Sequence, residues 1–223
     1  MRRPEAVVFD LDGTLFESES VLLPAYRRTF GRLREEGRFK GPTPPEERII
    51  SALGLLLDEI WKRVLPDADL SVRRRADELL IEYQLEELRR GNGRLYPGVR
   101  ETVAALAESG VRLFIASNGR REYVEGVAVC TGIAAWFEAF YTAGEYGTAS
   151  KAELVGRLLA ERRIGSAWMV GDRASDVEAA RKNGMFAVGC RYAGFGGEEE
   201  LAGADVVVSD IAELLRLYRE CCG

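Results

Sequence analysis

Between residues 95 and 223, short runs of β-forming residues alternate with amphipathic helical stretches, and this alternation leaves few folds open. Runs at 112–116 (RLFIA), 139–142 (AFYT), 167–170 (AWMV), 186–190 (FAVGC) and 205–208 (DVVV) have the length of buried strands. Helical patterns occupy 99–109, 121–131, 151–161, 175–183 and 211–218. Pro97 precedes the first of these helices, while Gly110, Gly165 and Gly184 stand where left-handed caps would end helices. Strands alternating with helices of this length predict βαβ units, and so an α/β fold with a doubly wound parallel sheet. One more run, AVVF at 6–9, predicts a first strand that stops abruptly at Asp10-Leu11-Asp12-Gly13.

After that strand, no second candidate appears for about eighty residues, far beyond an ordinary βα loop. The interval is helical instead, with patterns at 19–36, 45–53, 58–64 and 71–90. In the last of these, Leu79, Leu80, Tyr83 and Leu88 form one buried stripe, and Arg73, Arg74, Arg75, Glu86, Glu87 and Arg89 are expected to stay solvated. Gly41-Pro42-Thr43-Pro44-Pro45 reads as a rigid connector, and Arg90-Gly91-Asn92-Gly93 as a flexible exit. The expected organisation is an α/β core of residues 1–15 and 94–223, interrupted by a small helical cap domain at 16–93.

Composition narrows the chemistry. With 47% hydrophobic and 30% charged residues, a chain of 223 residues is an ordinary globular one that needs no disulfide or structural metal to fold. The net charge of −5 (31 basic against 36 acidic residues) gives no general attraction to nucleic acid polymers or anionic membranes. There is no histidine, which removes Ser-His-Asp and Cys-His catalysis and His-ligated zinc together. Catalysis must use carboxylates, Lys, Ser/Thr, Tyr or backbone amides, with any metal held by oxygen. Cys130, Cys190, Cys221 and Cys222 form no C-x-x-C pattern and read as reduced thiols. Behind the basic start Met1-Arg2-Arg3-Pro4 the apolar stretch is too short for a signal peptide, and no run is long enough to span a membrane. A cytoplasmic protein is expected, as monomer or homodimer.

In an open α/β sheet, ligands sit at the carboxyl ends of strands. Four polar clusters fall there: Asp10-x-Asp12-Gly13-Thr14, Ser117-Asn118-Gly119, Lys151, and Gly171-Asp172 with Asp176. Taken singly, each is a turn, a cap or a surface residue. Taken together they follow different strands, so folding gathers them along one rim. Carboxylates converging there repel one another unless something positive compensates, and oxygen ligands of this kind suit Mg²⁺. Ser150-Lys151-Ala152-Glu153 matches a capping box and places Lys151 in a first helical turn, where helix terminus and ammonium together form an anion site. Ser175-Asp176-Val177-Glu178 repeats the signature beside Asp172. Cation, anion receptor and carboxylates on one rim point to phosphoryl chemistry.

The motifs FDLDGTL at 9–15, IASNG at 115–119, Lys151 and VGDRASD at 170–176 occur in the order of the haloacid dehalogenase-like hydrolases. Over essentially its whole length the chain resembles the phosphatase members with an inserted helical cap, such as phosphoglycolate phosphatases. The resemblance implies that Asp10 is the nucleophile that becomes an aspartyl phosphate, and that Asp12 protonates the leaving alkoxide and then activates water. It implies Mg²⁺ ligation by Asp10, Asp172 and the backbone carbonyl of Asp12, with Asp176 behind them. Ser117, Asn118 and Lys151 would hold the phosphoryl oxygens of a small phosphorylated metabolite.

Within that family, dehalogenases lack the second acid, which Asp12 supplies here, and sugar phosphomutases carry a histidine where this chain has Phe16-Glu17-Ser18-Glu19. Two readings from other classes are a phospho-accepting receiver domain and a catalytically silent interaction module. Receivers place the acceptor Asp after a middle strand and lack a cap; the full set of site residues argues against silence. Glu17, Arg48, Lys62 and Arg120 are candidates for selecting the substrate, whether phosphoglycolate, a nucleotide or a sugar phosphate. Trp61 is expected to pack within the cap, and Leu53-Gly54-Leu55-Leu56-Leu57 either to fill the cap core or to face the site.

Overall fold

The computed structural model describes residues 3–193 and 198–221; Met1, Arg2 and Cys222 lie outside the described residues. Among the described residues six strands form one sheet: β1 (Ala6–Phe9), β2 (Arg112–Ser117), β3 (Ala139–Thr142), β4 (Ala167–Gly171), β5 (Phe186–Cys190) and β6 (Val206–Val208). All pairings are parallel, in the order β3-β2-β1-β4-β5-β6. The chain steps outward from β1 to β3, then crosses back to place β4 on the other side of β1. The strand order thus reverses beside β1, which opens a crevice at the carboxyl ends of β1 and β4.

Helices cover both faces: α5 (Val99–Glu108), α6 (Arg121–Cys130) and α10 (Glu213–Glu220) on one, α8 (Lys151–Arg162) and α9 (Ala174–Lys182) on the other, with a short α7 (Ala143–Tyr146) after β3. The two-residue period of a strand divides β1 between them. Val7 and Phe9 pack with Val103, Val124 and Leu214, whereas Ala6 and Val8 pack with Leu154, Leu158 and Ala180. β1 is buried along its whole length, which explains its unbroken apolar sequence.

Between β1 and α5 lie four helices: α1 (Glu19–Glu35), α2 (Glu46–Ile50), α3 (Leu57–Val64) and α4 (Leu70–Arg89). They have a core of their own, built from Tyr26, Phe30, Trp61, Val64, Leu79 and neighbours. Trp61 is buried there as expected, and its indole Nε1 donates to Asp77 Oδ1 at 3.0 Å. The lower end of α4 rests on α6 at Gly126, where a Cβ would meet Leu85 Cδ2 at 2.7 Å. That close approach sets the helical layer over the carboxyl edge of the sheet. No helix among the described residues is long and apolar enough to cross a membrane.

Several local expectations are corrected. The helix expected at 45–53 ends at Ile50, and residues 51–55 turn, with Gly54 at φ +80°. The left-handed residue that ends α8 is Arg163 (φ 53°) rather than Gly165. Glu87, expected to be solvated, is buried; Arg28 and Arg90 reach it at 3.2 and 2.7 Å, and Asn92 donates to it at 2.6 Å. Helix α9 begins at Ala174, so Ser175 lies within its first turn rather than at its cap. The shorter acid Asp176 reaches back to the Arg173 N–H at 3.0 Å in the role expected of Glu178, and the Ser175 hydroxyl is buried without a partner.

Candidate active site

The parallel register brings the strand ends level. Phe9 pairs with Ile115 on one side and Val170 on the other, and the Asp10 N–H donates to Val170 O at 2.8 Å. Asp10 leaves β1, Ser117 ends β2 and Asp172 follows β4, while Ser150 caps α8 by accepting from the Glu153 N–H at 3.2 Å. Lys151 is therefore the first residue of α8, pointed at the same rim. The cap differs from the expected box in one bond: the Glu153 carboxylate accepts from the Ala149 N–H.

At the centre, Lys151 Nζ lies 2.7 Å from Asp10 Oδ1 and 2.7 Å from Asp176 Oδ1, with all three side chains almost fully buried. Asp176 Oδ2 accepts the Arg173 N–H, so both its oxygens are committed and it acts by fixing the ammonium. Asp172 Oδ1 accepts from the Thr14 hydroxyl at 3.1 Å. The turn after β1 is made by Gly13 at φ +81°, and a Cβ there would lie 2.4 Å from Asp172 Oδ2. Only glycine admits that carboxylate.

The charges do not balance. Asp10, Asp172 and Asp176 offer ligand oxygens within 4.8 Å of one another, against one ammonium. Burial raises the Asp10 carboxyl to about 7, although Lys151 pulls it down. Burial, then repulsion from Asp10 and Asp176, holds Asp172 well above the usual carboxylate range. Burial opposes the Lys151 ammonium, but its two carboxylate partners outweigh it and keep lysine charged. Asp10 Oδ2 is buried without a partner among the described residues. An orphaned carboxylate oxygen beside a second carboxylate, in a set short of positive charge, fits a hard divalent cation.

Asp12 has a different setting. Its Oδ1 accepts from the Ser18 hydroxyl at 2.5 Å and from the Tyr123 hydroxyl at 2.7 Å. Burial nevertheless raises its carboxyl, against the pull of those two donors. Burial thus works against the Asp12 charge while two donors support it, and the side chain borders the open space of the site. Ser18 and Tyr123 escaped the sequence reading. Ser18 sits in the hinge, noted there only for lacking histidine, and Tyr123 reaches Asp12 from α6 through tertiary packing alone.

Asp10, Asp12, Ser117, Asn118 and Arg120 all line one cavity under the helical layer, which holds about 60 Å³ of room for the centres of water-sized spheres. Leu53, Gly54 and Leu55 line it too, so that segment faces the site. Asn118 Nδ2 donates to Gly54 O at 2.8 Å, and the Ser117 hydroxyl accepts from the Gly119 N–H at 3.1 Å. Three expected selectors are placed elsewhere. Glu17 pairs with Arg94 at 2.9 Å, Arg48 lies exposed on the outer face, and Lys62 lines a separate depression. Arg120 does border the cavity, but its Nη2 is bonded to Asp77 Oδ2 at 2.5 Å.

A family model described as haloacid dehalogenase-like hydrolase matches residues 4–184. A plasmid-encoded phosphoglycolate phosphatase of Cupriavidus necator is 30% identical over 218 residues, covering 94% of this chain and 90% of that protein. The tyrosine-protein kinase PtkA of Mycobacterium tuberculosis is 25% identical over 225 residues, 99% of this chain and 73% of that protein. A solved structure titled a predicted phosphoglycolate phosphatase, from Haemophilus somnus, superposes with a TM-score of 0.83 at 22% identity, covering 97% of this chain and 99% of that one. The chain belongs to the haloacid dehalogenase-like hydrolases, enzymes among which it resembles the phosphoglycolate phosphatase group.

Proposed function

We propose that this enzyme is a Mg²⁺-dependent phosphatase that hydrolyses a small phosphorylated metabolite of the cytoplasm through an aspartyl phosphate on Asp10. The observation that carries the reading is the pairing of two unlike acids. Asp10 has a buried oxygen with no partner among the described residues, and Asp12, on the same cavity, has its Oδ1 engaged by the Ser18 and Tyr123 hydroxyls while burial raises its carboxyl. A nucleophile and an acid two residues apart need opposite protonation states, and Lys151 together with a bound divalent cation would hold Asp10 as the carboxylate.

In the first step an Asp10 oxygen attacks phosphorus, the bond from phosphorus to the alkoxy oxygen breaks, and that oxygen takes the proton of Asp12. In the second, the Asp12 carboxylate removes a proton from water as the water oxygen attacks phosphorus. The bond to Asp10 breaks, and phosphate leaves with Asp12 protonated again. Lys151 has a third N–H beyond the two given to Asp10 and Asp176, available to a phosphoryl oxygen. Ser117 and Asn118 serve the same oxygens, Asn118 by turning its amide from Gly54 O. Mg²⁺ held by Asp10, Asp172 and the Asp12 carbonyl would offset the charge of carboxylates and phosphoryl group together. Residues 16–93 act as a cap that closes over the rim and excludes water.

Continuous phosphate release from a panel of small phosphomonoesters, with Mg²⁺ and with chelator, tests the reading. Multiple turnover that vanishes on chelation and in folded Asp10→Asn is the expected result. Stoichiometric labelling without turnover would favour a phospho-accepting domain, and retained turnover by Asp10→Asn would remove Asp10 as nucleophile.

A further inference from the structure

The cavity has two unlike ends. Asp10, Asp12 and Ser117 form the reacting end, and the opposite wall comes from the helical layer: Leu22, Ile49, Leu55, Ile60, Trp61 and Leu80. A leaving group must lie against this wall, since the phosphoryl group is held at the rim. The room is small. One water needs about 10–15 Å³ on this measure, so the cavity takes only a compact group.

Charge matters more than size. The described residues lining the cavity include three carboxylates, Asp10, Asp12 and Asp77, and one cationic side chain, Arg120. That guanidinium is already committed. Asp77 is 6% exposed, and its Oδ2 takes Arg120 while its Oδ1 takes the Trp61 indole. Turning Arg120 toward a substrate carboxylate would strip a buried carboxylate of its counter-ion, which is costly. A leaving group bearing its own carboxylate, as phosphoglycolate does, would therefore meet an apolar wall with no uncommitted cationic side chain among the described lining residues.

Away from the reacting end and the committed pair of Asp77 and Arg120, one polar side chain borders the apolar half. Gln84, on α4, is 6% exposed and lines the apolar half, and its side-chain amide has no hydrogen-bond partner among the described residues. An unpartnered amide bordering an apolar chamber, on a residue only 6% exposed, marks where a ligand's polar group belongs.

We infer that the substrate is the phosphate ester of a compact, uncharged alcohol, apolar over most of its surface and carrying one hydrogen-bonding group that meets Gln84. The inference rests on the phosphatase reading for its chemistry, but the selecting chamber is tested without turnover. Phosphonates, in which a methylene replaces the ester oxygen, serve as probes. 3-Methylbutylphosphonate and 3-phosphonopropionate have similar size and differ in the charge at the far end. Calorimetry with Mg²⁺ is expected to show the neutral probe binding at least about tenfold tighter, or about 1.4 kcal/mol. Equal or tighter binding of the carboxylated probe overturns the inference.

The near-isosteric variant Gln84→Leu isolates the polar contact. It is expected to lose at least about fivefold in affinity for 4-hydroxybutylphosphonate, as for one hydrogen bond, and to bind 3-methylbutylphosphonate as tightly as before or tighter. An unchanged affinity for the hydroxylated probe would refute the role given to Gln84. Turnover of isobutyl phosphate and phosphoglycolate is measured alongside. The panel of phosphomonoesters decides the phosphatase reading, and the ratio of phosphonate affinities decides the inference whichever way that panel falls.

Discussion

Replacing Lys151 with methionine keeps most of the aliphatic stem and removes only the ammonium, which isolates the electrostatics of the site. In the native protein Nζ meets two carboxylates at 2.7 Å, and its side chain is 1% exposed. Each charge-assisted bond contributes about 1.5–3 kcal/mol, and removing one partner of a buried pair costs about 3–5 kcal/mol. A loss of about 4 kcal/mol without metal is therefore expected, a large part of the ~5–15 kcal/mol typical of a folded domain. At about 2–4 °C per kcal/mol for a chain of this size, Tm falls by roughly 10 °C. The sign of the pH dependence is a second check. Asp10, already raised by burial and now without its ammonium, has its carboxyl pKa above the unfolded value, so the folded variant binds a proton that the unfolded chain releases. Its deficit is then largest near pH 8 and shrinks toward about pH 5.5. Urea unfolding of wild type and Lys151→Met in chelator, followed by circular dichroism at both pH values, measures this. A deficit below about 1 kcal/mol, or one of equal size at both pH values, would refute the account of a buried ammonium holding mutually repelling carboxylates.

The chelated wild type should itself gain stability as pH falls from about 8 toward 6, because Asp10 titrates near 7 when folded and near 3.8 when unfolded; denaturant titrations across that range check this, and added Mg²⁺ should flatten the slope. Tyr123→Phe removes a donor that favours the Asp12 carboxylate, so the Asp12 pKa rises and the alkaline limb of kcat/KM moves up by about one pH unit; a limb that stays put would separate Tyr123 from the acid. Gly13→Ala meets both a left-handed backbone, at about 1–2 kcal/mol, and the Asp172 carboxylate, so Mg²⁺ activation should require much higher metal concentrations. Wild-type metal dependence in that variant would show that the turn does not set the Asp172 position.

Much of the site was legible because strand ends are legible. An apolar run that stops at an acid states where a side chain leaves the sheet, and parallel pairing puts all such ends on one edge. Asp10, Ser117 and Asp172 followed from that rule, and Lys151 from the cap at Ser150. The misreadings came from the helical layer and from helix starts. Whether Arg48 or Lys62 turns inward depends on the rotation of short helices about their axes, which packing against Tyr26, Phe30 and Trp61 decides. Ser175 and Asp176 both satisfy a cap pattern, and the contest went to the acid that also meets Lys151.

The sequence by itself determined the sheet, its direction and which polar residues gather at its rim, because strand periodicity and cap chemistry act over a few neighbours. Only the tertiary structure decided what the chamber above them contains. Asp77, Gln84, Tyr123 and Arg120 come from distant segments, and their roles depend on which charges end up paired and which amide is left facing the cavity. Burial turns such placements into chemistry, since a neutralised arginine and a free one read identically in a sequence but not in a space from which water is largely excluded.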